Sequence, residues 1–319
     1  LEVIDDAMLV LRNGTVEALG PTSELRATLD IDTEIKDWRG HLIVPGFIDT
    51  HVHYPQTDMI AAHGDQLLDW LNRYTFPTEA RFSDLDYATD TAKFFVDELI
   101  RNGTTSAMVF CTIHPHSVDA LFEAAQARGM CVVAGKVMMD RNCPQDLTDD
   151  VTNGVRDVHA LIERWHGVGR LSYAVTPRFA PTSSPEQLAA CGELLSSAPG
   201  LYLQTHVAEN LDEVAWVAQL FPKARSYLDV YEQFGLVGRR SVLAHCIHLD
   251  ETDRATMAER GASMAYCPTS NLFLGSGLFD MDAADAGANQ VALATDVGGG
   301  SSFSMLRTMG EAYKVAQVK

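Results

Sequence analysis

The chain has 319 residues, of which 46% are apolar and 21% are charged, a composition typical of a folded globular protein with one or two domains. Its 43 acidic residues outnumber its 24 basic residues, so the formal net charge is −19. A surface this negative repels phosphate backbones and anionic lipids, and we therefore expect no nucleic-acid partner and no membrane partner. A small neutral substrate is compatible with this charge.

Six cysteines are scattered along the chain without a CxxC pair, at positions 111, 131, 143, 191, 246 and 267. This spacing indicates reduced thiols rather than a disulfide framework, and it favours a cytoplasmic location. The chain starts at Leu1 in a strand-like segment and stops at Lys319 in a helix-like one. We therefore expect the natural protein to extend beyond both residues.

The first predicted element is a β-hairpin. The segment AMLVLRNGTVEALG, residues 7–20, places Asn13 and Gly14 between two apolar runs. An Asn-Gly pair favours the two-residue turn whose backbone twist matches that of the strands it joins. Residues 1–45 are therefore expected to contain antiparallel strands.

From Leu42 onward the pattern changes to short apolar, β-branched segments separated mostly by amphipathic stretches. The predicted strands span residues 42–53, 106–110, 131–137, 171–179, 201–208, 242–249, 262–268 and 291–298. Eight strands that alternate with helices predict an α/β fold of the (β/α)8 TIM-barrel type. The alternative, a doubly wound open sheet, would normally carry a glycine-rich phosphate loop after its first strand, where this chain has histidines.

Two of the connecting helices have clear end signals. Asp84 precedes a predicted helix that reaches Arg101, and Gly103 follows it. Ser184, with proline directly after it and Gln187 three positions on, predicts a capping box at the start of another helix.

Candidate functional side chains, all polar except Phe179, stand at the ends of five of the predicted strands. They are His51 and His53, then Arg178 and Phe179, then His206 with Glu209, then His245 and His248, and finally Asp296. Because the carboxyl ends of barrel strands meet at one mouth, where catalytic residues are found, we expect these side chains to converge.

His51 and His53 are two positions apart, so both imidazoles leave the same face of their strand. Paired histidines also occur on solvated strands, and the pair alone is weak support for a metal site. With His206 and Asp296 at later strand ends, however, the chain offers a His₃Asp set that suits a borderline divalent cation.

Two carboxylates are candidates for proton transfer. Glu209 stands three residues after His206, where it could take a proton from a metal-bound water, although it could also merely open the next helix. Asp296 precedes three glycines and is interpreted as a metal ligand and proton acceptor. A phosphate cradle is the competing interpretation, but the GK[ST] signature is absent.

Four further histidines divide into one candidate and three others. His245 could hydrogen-bond the attacking hydroxide and the oxyanion that follows. His248 points the opposite way if the strand continues, which favours a structural role. His114 and His116 repeat the spacing of two, but Pro115 between them predicts a loop.

Three side chains are candidates for holding a flat heterocycle. The amide of Gln56 can donate and accept at once, as a purine edge requires, and Arg178 presents a fixed fork of donors. Phe179 either stacks on a ring or fills the barrel wall, and by itself it is interpreted as core.

These residues, in this order, resemble the amidohydrolase superfamily of metal-dependent barrels. Longer segments across nearly the whole chain are similar to the guanine deaminase family in particular. They are PGFIDTHVHYPQTD, LLDWLNRYTFPTEARF, GKVMMDRN, TPRFAPTSS, THVAEN, AHCIHL, CPTSNLFLGSGLF and ATDVGGGSSFSM.

The resemblance implies deamination of guanine to xanthine and ammonia, with the following roles. It implies one zinc ion on His51, His53, His206 and Asp296, a proton shuttle at Glu209, His245 beside the water, and the purine held by Gln56, Arg178, Phe179, His206 and Glu209. The fourth predicted strand has no lysine at its end to bridge two metals, which favours a single ion.

The resemblance also implies a domain division and an assembly. Residues 1–42 would be the N-terminal strands of a small β-sandwich, residues 43–319 the metal-dependent barrel with a truncated C-terminal end, and the protein a homodimer. Two alternatives stay open. One is a related hydrolase acting on an oxidised guanine, a triazine or a pterin, and the other is a non-catalytic scaffolding homologue.

Overall fold

The hairpin predicted around Asn13 and Gly14 is present. Strands β1 (Ala7–Arg12) and β2 (Thr15–Pro21) pair antiparallel, with a register shift between Val10 and Leu11. The turn residues have φ angles of 51° and 76°, the left-handed values that a two-residue hairpin turn of this type requires. The sequence prediction for this segment is therefore confirmed.

The computed structural model describes residues 3–63 and 66–319, and the chain divides into two units, Leu1–Pro45 and Gly46–Lys319. The first unit holds β1, β2 and the short helix α1 (Thr22–Leu25). The prediction that this unit is part of a β-sandwich ending at residue 42 stays a prediction.

The second unit is built on a parallel sheet. Its strands are β3 (Phe47–His53), β4 (Thr104–Phe110), β5 (Cys131–Gly135), β6 (Val137–Met138), β7 (Leu171–Pro177), β8 (Tyr202–Val207), β9 (Ser241–His245), β10 (Ser263–Tyr266) and β11 (Gln290–Leu293). They pair in the order β3-β4-β5-β7-β8-β9-β10-β11, and β6 extends the pairing with β7. All eight predicted strands are present, although most are shorter than predicted.

The two outer strands of this sheet approach each other, so the barrel is nearly closed. The N–H of Asp296 donates to the carbonyl of His51 at 2.9 Å, and the N–H of His53 donates to the carbonyl of Val297 at 2.7 Å. These bonds join β3 to the segment that follows β11. The TIM-barrel fold class is confirmed, and the open-sheet alternative is wrong.

Helices fill the connections between the strands. They are α2 (Leu67–Trp70), α3 (Phe76–Ala80), α4 (Leu85–Arg101), α5 (Pro115–Ala127), α6 (Val151–Trp165), α7 (Pro185–Leu195), α8 (Leu211–Leu220), α9 (Tyr227–Gln233), α10 (Glu251–Arg260), α11 (Pro268–Phe273), α12 (Met281–Ala286) and α13 (Met305–Val318). A π-helical turn, Leu71–Thr75, joins α2 to α3. Within residues 3–63 and 66–319, no helix has the length and apolar character needed to cross a membrane.

The predicted helix ends are partly confirmed. The Asp84 carboxylate accepts hydrogen bonds from the N–H groups of Asp86 and Tyr87 and so caps α4. Ser184 caps α7 by accepting from the N–H of Gln187. The capping box is incomplete, because the Gln187 side chain has no hydrogen-bond partner in the described part of the chain.

The predicted loop around Pro115 is wrong. Helix α5 begins at this proline, and His114 is its N-cap residue. Proline suits the first helical position because its missing N–H would have no partner there and its φ is already helical. His114 and His116 stack with ring centroids 5.5 Å apart, and the ring of His116 contacts the carbonyl of Phe82 at 2.6 Å.

Candidate active site

The barrel mouth brings the predicted metal ligands together. The Nε2 atom of His53 lies 3.2 Å from Nε2 of His51 and 3.1 Å from Nε2 of His206. The Oδ1 atom of Asp296 lies 3.2 Å from Nε2 of His51 and 3.4 Å from Nε2 of His53. All four side chains are buried, and their ligand atoms lie within 4.8 Å of one another.

The protonation of these imidazoles suits a cation. Burial lowers the pKa of His51 and lowers the pKa values of His53 and His206 further, so the rings are neutral. The Nδ1 atom of His206 lies 2.7 Å from the carbonyl of Arg178, so this nitrogen carries the proton and Nε2 keeps its lone pair. Converging lone pairs with a carboxylate beside them form a donor set that fits a divalent metal ion.

A second set of ligand atoms, on His51, His245, Cys267 and Asp296, also lies within 4.8 Å. Its thiol is a poor ligand, since Sγ of Cys267 donates to the carbonyl of Ala265 at 3.3 Å and burial raises the pKa of Cys267 well above its ordinary value. The His₃Asp set is therefore the better metal site.

A buried carboxylate that the sequence analysis did not identify ties the barrel together beneath these ligands. Asp49 accepts a hydrogen bond at 3.0 Å from the N–H of Thr295 and another from its hydroxyl. Burial raises the pKa of Asp49 to about 7 despite these bonds. Because Asp49 binds Thr295, this buried carboxylate also fixes the position of Asp296, which follows Thr295 directly.

Glu209 and His245 lie beside the metal ligands. Oε2 of Glu209 is 3.3 Å from Nε2 of His245, and Oδ2 of Asp296 is 3.8 Å from the same atom. Burial raises the pKa of Glu209 to about 7, although His245 and Ser276 act to lower it. Burial acts to raise the pKa of Asp296, but its hydrogen bond with His51 and the attraction of His245 outweigh this effect, and the pKa is about 2. The two carboxylates therefore differ in proton affinity.

His245 is held by contacts that the sequence did not reveal. Its Nδ1 atom lies 2.9 Å from Oδ1 of Asn271, which assigns the proton to Nδ1 and turns Nε2 toward the mouth. Burial lowers the pKa of His245, but Glu209 and Asp296 outweigh it and the pKa lies above the ordinary value. Both His245 and Asp296 have left-handed backbone angles, with φ of 71° and 49°. Such strain in non-glycine residues is concentrated at functional sites.

Glu209 is oriented from two sides. Its Oε1 accepts a hydrogen bond from the hydroxyl of Ser276 at 2.9 Å. Its backbone N–H donates to Oε2 of Glu213 at 2.9 Å, and Asn210 rather than Glu209 caps α8. The competing interpretation, in which Glu209 only opens this helix, is thereby weakened. His248 lies after β9 and contacts the carbonyl of Ser276 at 2.9 Å, consistent with its predicted structural role.

Two of the three candidates for substrate binding, Gln56 and Arg178, share one buried carboxylate, that of Glu79 on α3. Arg178 donates to it through Nη1 at 2.6 Å and Nη2 at 3.0 Å, and Gln56 donates through Nε2 at 3.0 Å. Glu79 lies in the segment LLDWLNRYTFPTEARF, and its position there gave no sign of this role. Phe179 is buried and lies edge to face with Trp216, at 6.4 Å between ring centroids.

One cavity joins these groups. Its lining includes His53, His206, Glu209, His245, Asp296, Gln56, Arg178 and Phe179. Leu67, Trp70 and Leu71 form an apolar wall, so the aromatic-rich segment that follows β3 covers the pocket. His114, His116 and His248 are not among the lining residues.

Comparisons with known proteins agree with this geometry. A sequence model of the amidohydrolase family matches residues 42–319. The guanine deaminase of Escherichia coli (strain K12) is 51% identical over 319 residues, which is 100% of this chain and 73% of that protein. A solved structure of E. coli guanine deaminase matches with a TM-score of 0.97 and covers 99% of this chain and 73% of that chain.

Two further structures extend the comparison. Guanine deaminase from C. acetobutylicum, with guanine bound in its active site, is 32% identical with a TM-score of 0.93, over 98% of this chain and 74% of that one. An adenosine deaminase from Xanthomonas campestris with bound zinc is 22% identical with a TM-score of 0.82, over 98% and 71%. At 22% identity the likeness concerns the fold alone. This chain is a member of the amidohydrolase family, similar within it to the guanine deaminases.

Proposed function

We propose that this protein is a guanine deaminase, which converts guanine and water to xanthine and ammonia. One observation carries the proposal. Three members of the His₃Asp set line a cavity that Glu209 and the donors Gln56 and Arg178 also line, in a chain 51% identical to a guanine deaminase. The pocket thus offers a proton-transfer group and planar polar recognition in one place.

We further propose that His51, His53, His206 and Asp296 hold one zinc ion per chain. Neutral imidazoles with one carboxylate are typical ligands of catalytic zinc, although iron and manganese also accept them. When bound, such an ion supplies Lewis acidity that brings the pKa of a water from about 15.7 toward 7. The support in this chain is the burial and mutual distances of the four side chains.

The protein's own groups would manage the protons and the charge. A pKa of about 7 lets Glu209 take a proton from the attacking water and return it to the departing amino group. Asp296, whose pKa is about 2, stays ionised and offers Oδ2 as a second acceptor. Because the pKa of His245 lies above its ordinary value, Nε2, which faces the same space, would also carry a proton and donate a hydrogen bond to the oxygen that gains negative charge as it adds to C2 of the ring.

Ring recognition is assigned to the other side of the cavity. Gln56 and Arg178 would bind polar atoms of the purine, Phe179 would contact its face, and His206 and Glu209 would contact the reacting edge. Leu67, Trp70 and Leu71 would exclude bulk water, which strengthens every polar contact inside.

The test is a steady-state ultraviolet assay of guanine conversion on Glu209→Gln, with zinc measured on the same sample. We expect zinc to stay bound and turnover to fall by about 10²- to 10⁴-fold. Glu193→Gln, an exposed change on α7, is the matched control and should keep full activity. Near-normal xanthine production by Glu209→Gln would remove this residue from the mechanism. Faster conversion of an oxidised guanine, a triazine or a pterin than of guanine would favour the alternative substrates.

The metal assignment has a separate test. Dialysis against a chelator should lower the thermal midpoint and added zinc should restore it, because a ligand that binds only the folded state stabilises it. His51→Ala should show no such response. If the wild-type midpoint ignores both treatments, these side chains do not hold a metal.

We also propose a cytoplasmic homodimer. All six cysteines are free, which suits a reducing compartment. The dimer rests on family resemblance, and light scattering on the purified protein decides it: a monomeric mass at micromolar concentration would contradict the proposal.

A further inference from the structure

The carboxylate of Glu79 is fully satisfied by the two side chains assigned to ring recognition. Oε1 accepts from Nε2 of Gln56 and from Nη2 of Arg178, both at 3.0 Å, and Oε2 accepts from Nη1 of Arg178 at 2.6 Å. Glu79 is 1% exposed and Arg178 is 2% exposed. A bidentate Arg–carboxylate pair at this depth has a fixed geometry.

These bonds determine which polar atoms the pocket can offer a ligand. The oxygen of Gln56 accepts from the N–H of Gly298 at 3.2 Å, so the amide is held at both of its ends. One N–H of this amide and three N–H groups of Arg178 stay available, because a guanidinium carries five. Glu79 therefore sets the direction of the donors without facing the substrate itself.

Glu79 also cancels the charge of Arg178. A guanidinium cannot lose its proton in a protein, so an unpaired Arg178 would place a permanent positive charge in the pocket wall. The charge of Arg178 also acts on His51 and His53 on β3 and on Cys143 after β6, and these three groups carry no negative charge that would neutralise it. The ring of Phe76, also on α3, lies 5.3 Å from the guanidinium.

We propose that Glu79 is a positioning residue that makes the pocket selective for neutral rings and lets it release the anionic form of its product. The inference rests on the proposed function. Guanine is neutral at neutral pH, whereas xanthine is the more acidic of the two and loses a ring proton on mild alkalinisation. A bare guanidinium would hold the xanthine anion by charge attraction, and the paired one has no net charge to do so.

The experiment measures competitive inhibition by xanthine across the pH range in which xanthine ionises, using the metal-loaded enzyme. In Glu79→Gln we expect inhibition to strengthen about tenfold or more as pH rises. This threshold is conservative, because opposite charges about 4 Å apart at an effective dielectric of about 20 attract far more strongly. The KM for guanine should rise while kcat changes less, since Gln56 and Arg178 lose their anchor.

Two matched variants separate charge from geometry. Glu79→Asp keeps the charge but shortens the reach, so it should raise the KM without strengthening xanthine inhibition. Asp149→Asn removes the carboxylate from another buried ion pair, that with Lys136, and should lower thermal stability without changing either constant.

The outcomes are distinguishable from failure of the proposed function. If the wild-type protein does not consume guanine, the proposed function fails. If it does, and inhibition of Glu79→Gln by xanthine is independent of pH, the inference about Glu79 is overturned. If Glu79→Gln does not fold, the pH dependence of xanthine inhibition in the wild-type enzyme decides. An inhibition constant that changes by less than about threefold across the pH range supports neutralisation of Arg178 by Glu79, and a tenfold decrease as pH rises overturns it.

Discussion

Replacement of Asn271 by alanine tests how much of the chemistry depends on the orientation of the His245 ring. Oδ1 of Asn271 accepts the Nδ1 proton at 2.9 Å, and both side chains are almost fully buried. Removing the acceptor leaves a buried N–H without a partner, which costs about 1–3 kcal/mol. The imidazole can then rotate, and the part of this energy that held Nε2 in place is lost in the reaction step.

If the whole of this 1–3 kcal/mol, about 5- to 150-fold, is lost in the reaction step, kcat falls by that factor while the KM for guanine changes little. Steady-state conversion of guanine by Asn271→Ala measures this, with zinc content and thermal midpoint recorded on the same sample. Asn271→Asp keeps an acceptor and should recover much of the loss. The control is Asn289→Ala, which removes a side-chain hydrogen bond to the carbonyl of Arg254 away from the cavity. A folded, metal-loaded Asn271→Ala with kcat within twofold of wild type would refute the reasoning.

Three further predictions each concern one side chain. Ser276→Ala removes the hydroxyl that lowers the pKa of Glu209, so the acidic limb of the kcat/KM profile should move to higher pH, and a move to lower pH would contradict the assignment. Asp84→Ala removes the cap of α4 and should cost about 1 kcal/mol in urea unfolding with kcat unchanged; no loss of stability would mean that water replaces the cap. Leu99→Ala opens a cavity at a fully buried position and should cost about 2–5 kcal/mol, whereas a cost below 1 kcal/mol would indicate local collapse.

Much of the fold followed from local patterns. Asn13 and Gly14 predicted a hairpin because few residues accept the φ angles of its turn, and both adopt them. The eight barrel strands were found because a strand buried on both faces reads as a continuous apolar run. The predicted strands extend too far where a change in backbone conformation ends the strand. The strand that holds His245 stops there, since this residue and Cys246 have left-handed φ angles of 71° and 54°.

The candidate site divides in the same way. The histidines, carboxylates and donors at strand ends could be named from the sequence, because a barrel gathers its strand ends at one mouth. Glu79, Asn271 and Ser276 could not. They lie on helical or loop segments whose spacing carries no sign of the strand-end groups that they contact.

By itself, the sequence determined which strands form and which polar side chains stand at their carboxyl ends. Apolar runs and turn residues suffice for this, because they act between residues that are near neighbours in the chain. Only the tertiary structure decided the protonation and direction of those side chains. Glu79 meets Arg178 across 99 positions of the chain, and Ser276 meets Glu209 across 67. Contacts of that kind depend on how helices and loops pack over the nearly closed barrel, where burial shifts pKa values and hydrogen-bond partners fix the direction of side chains.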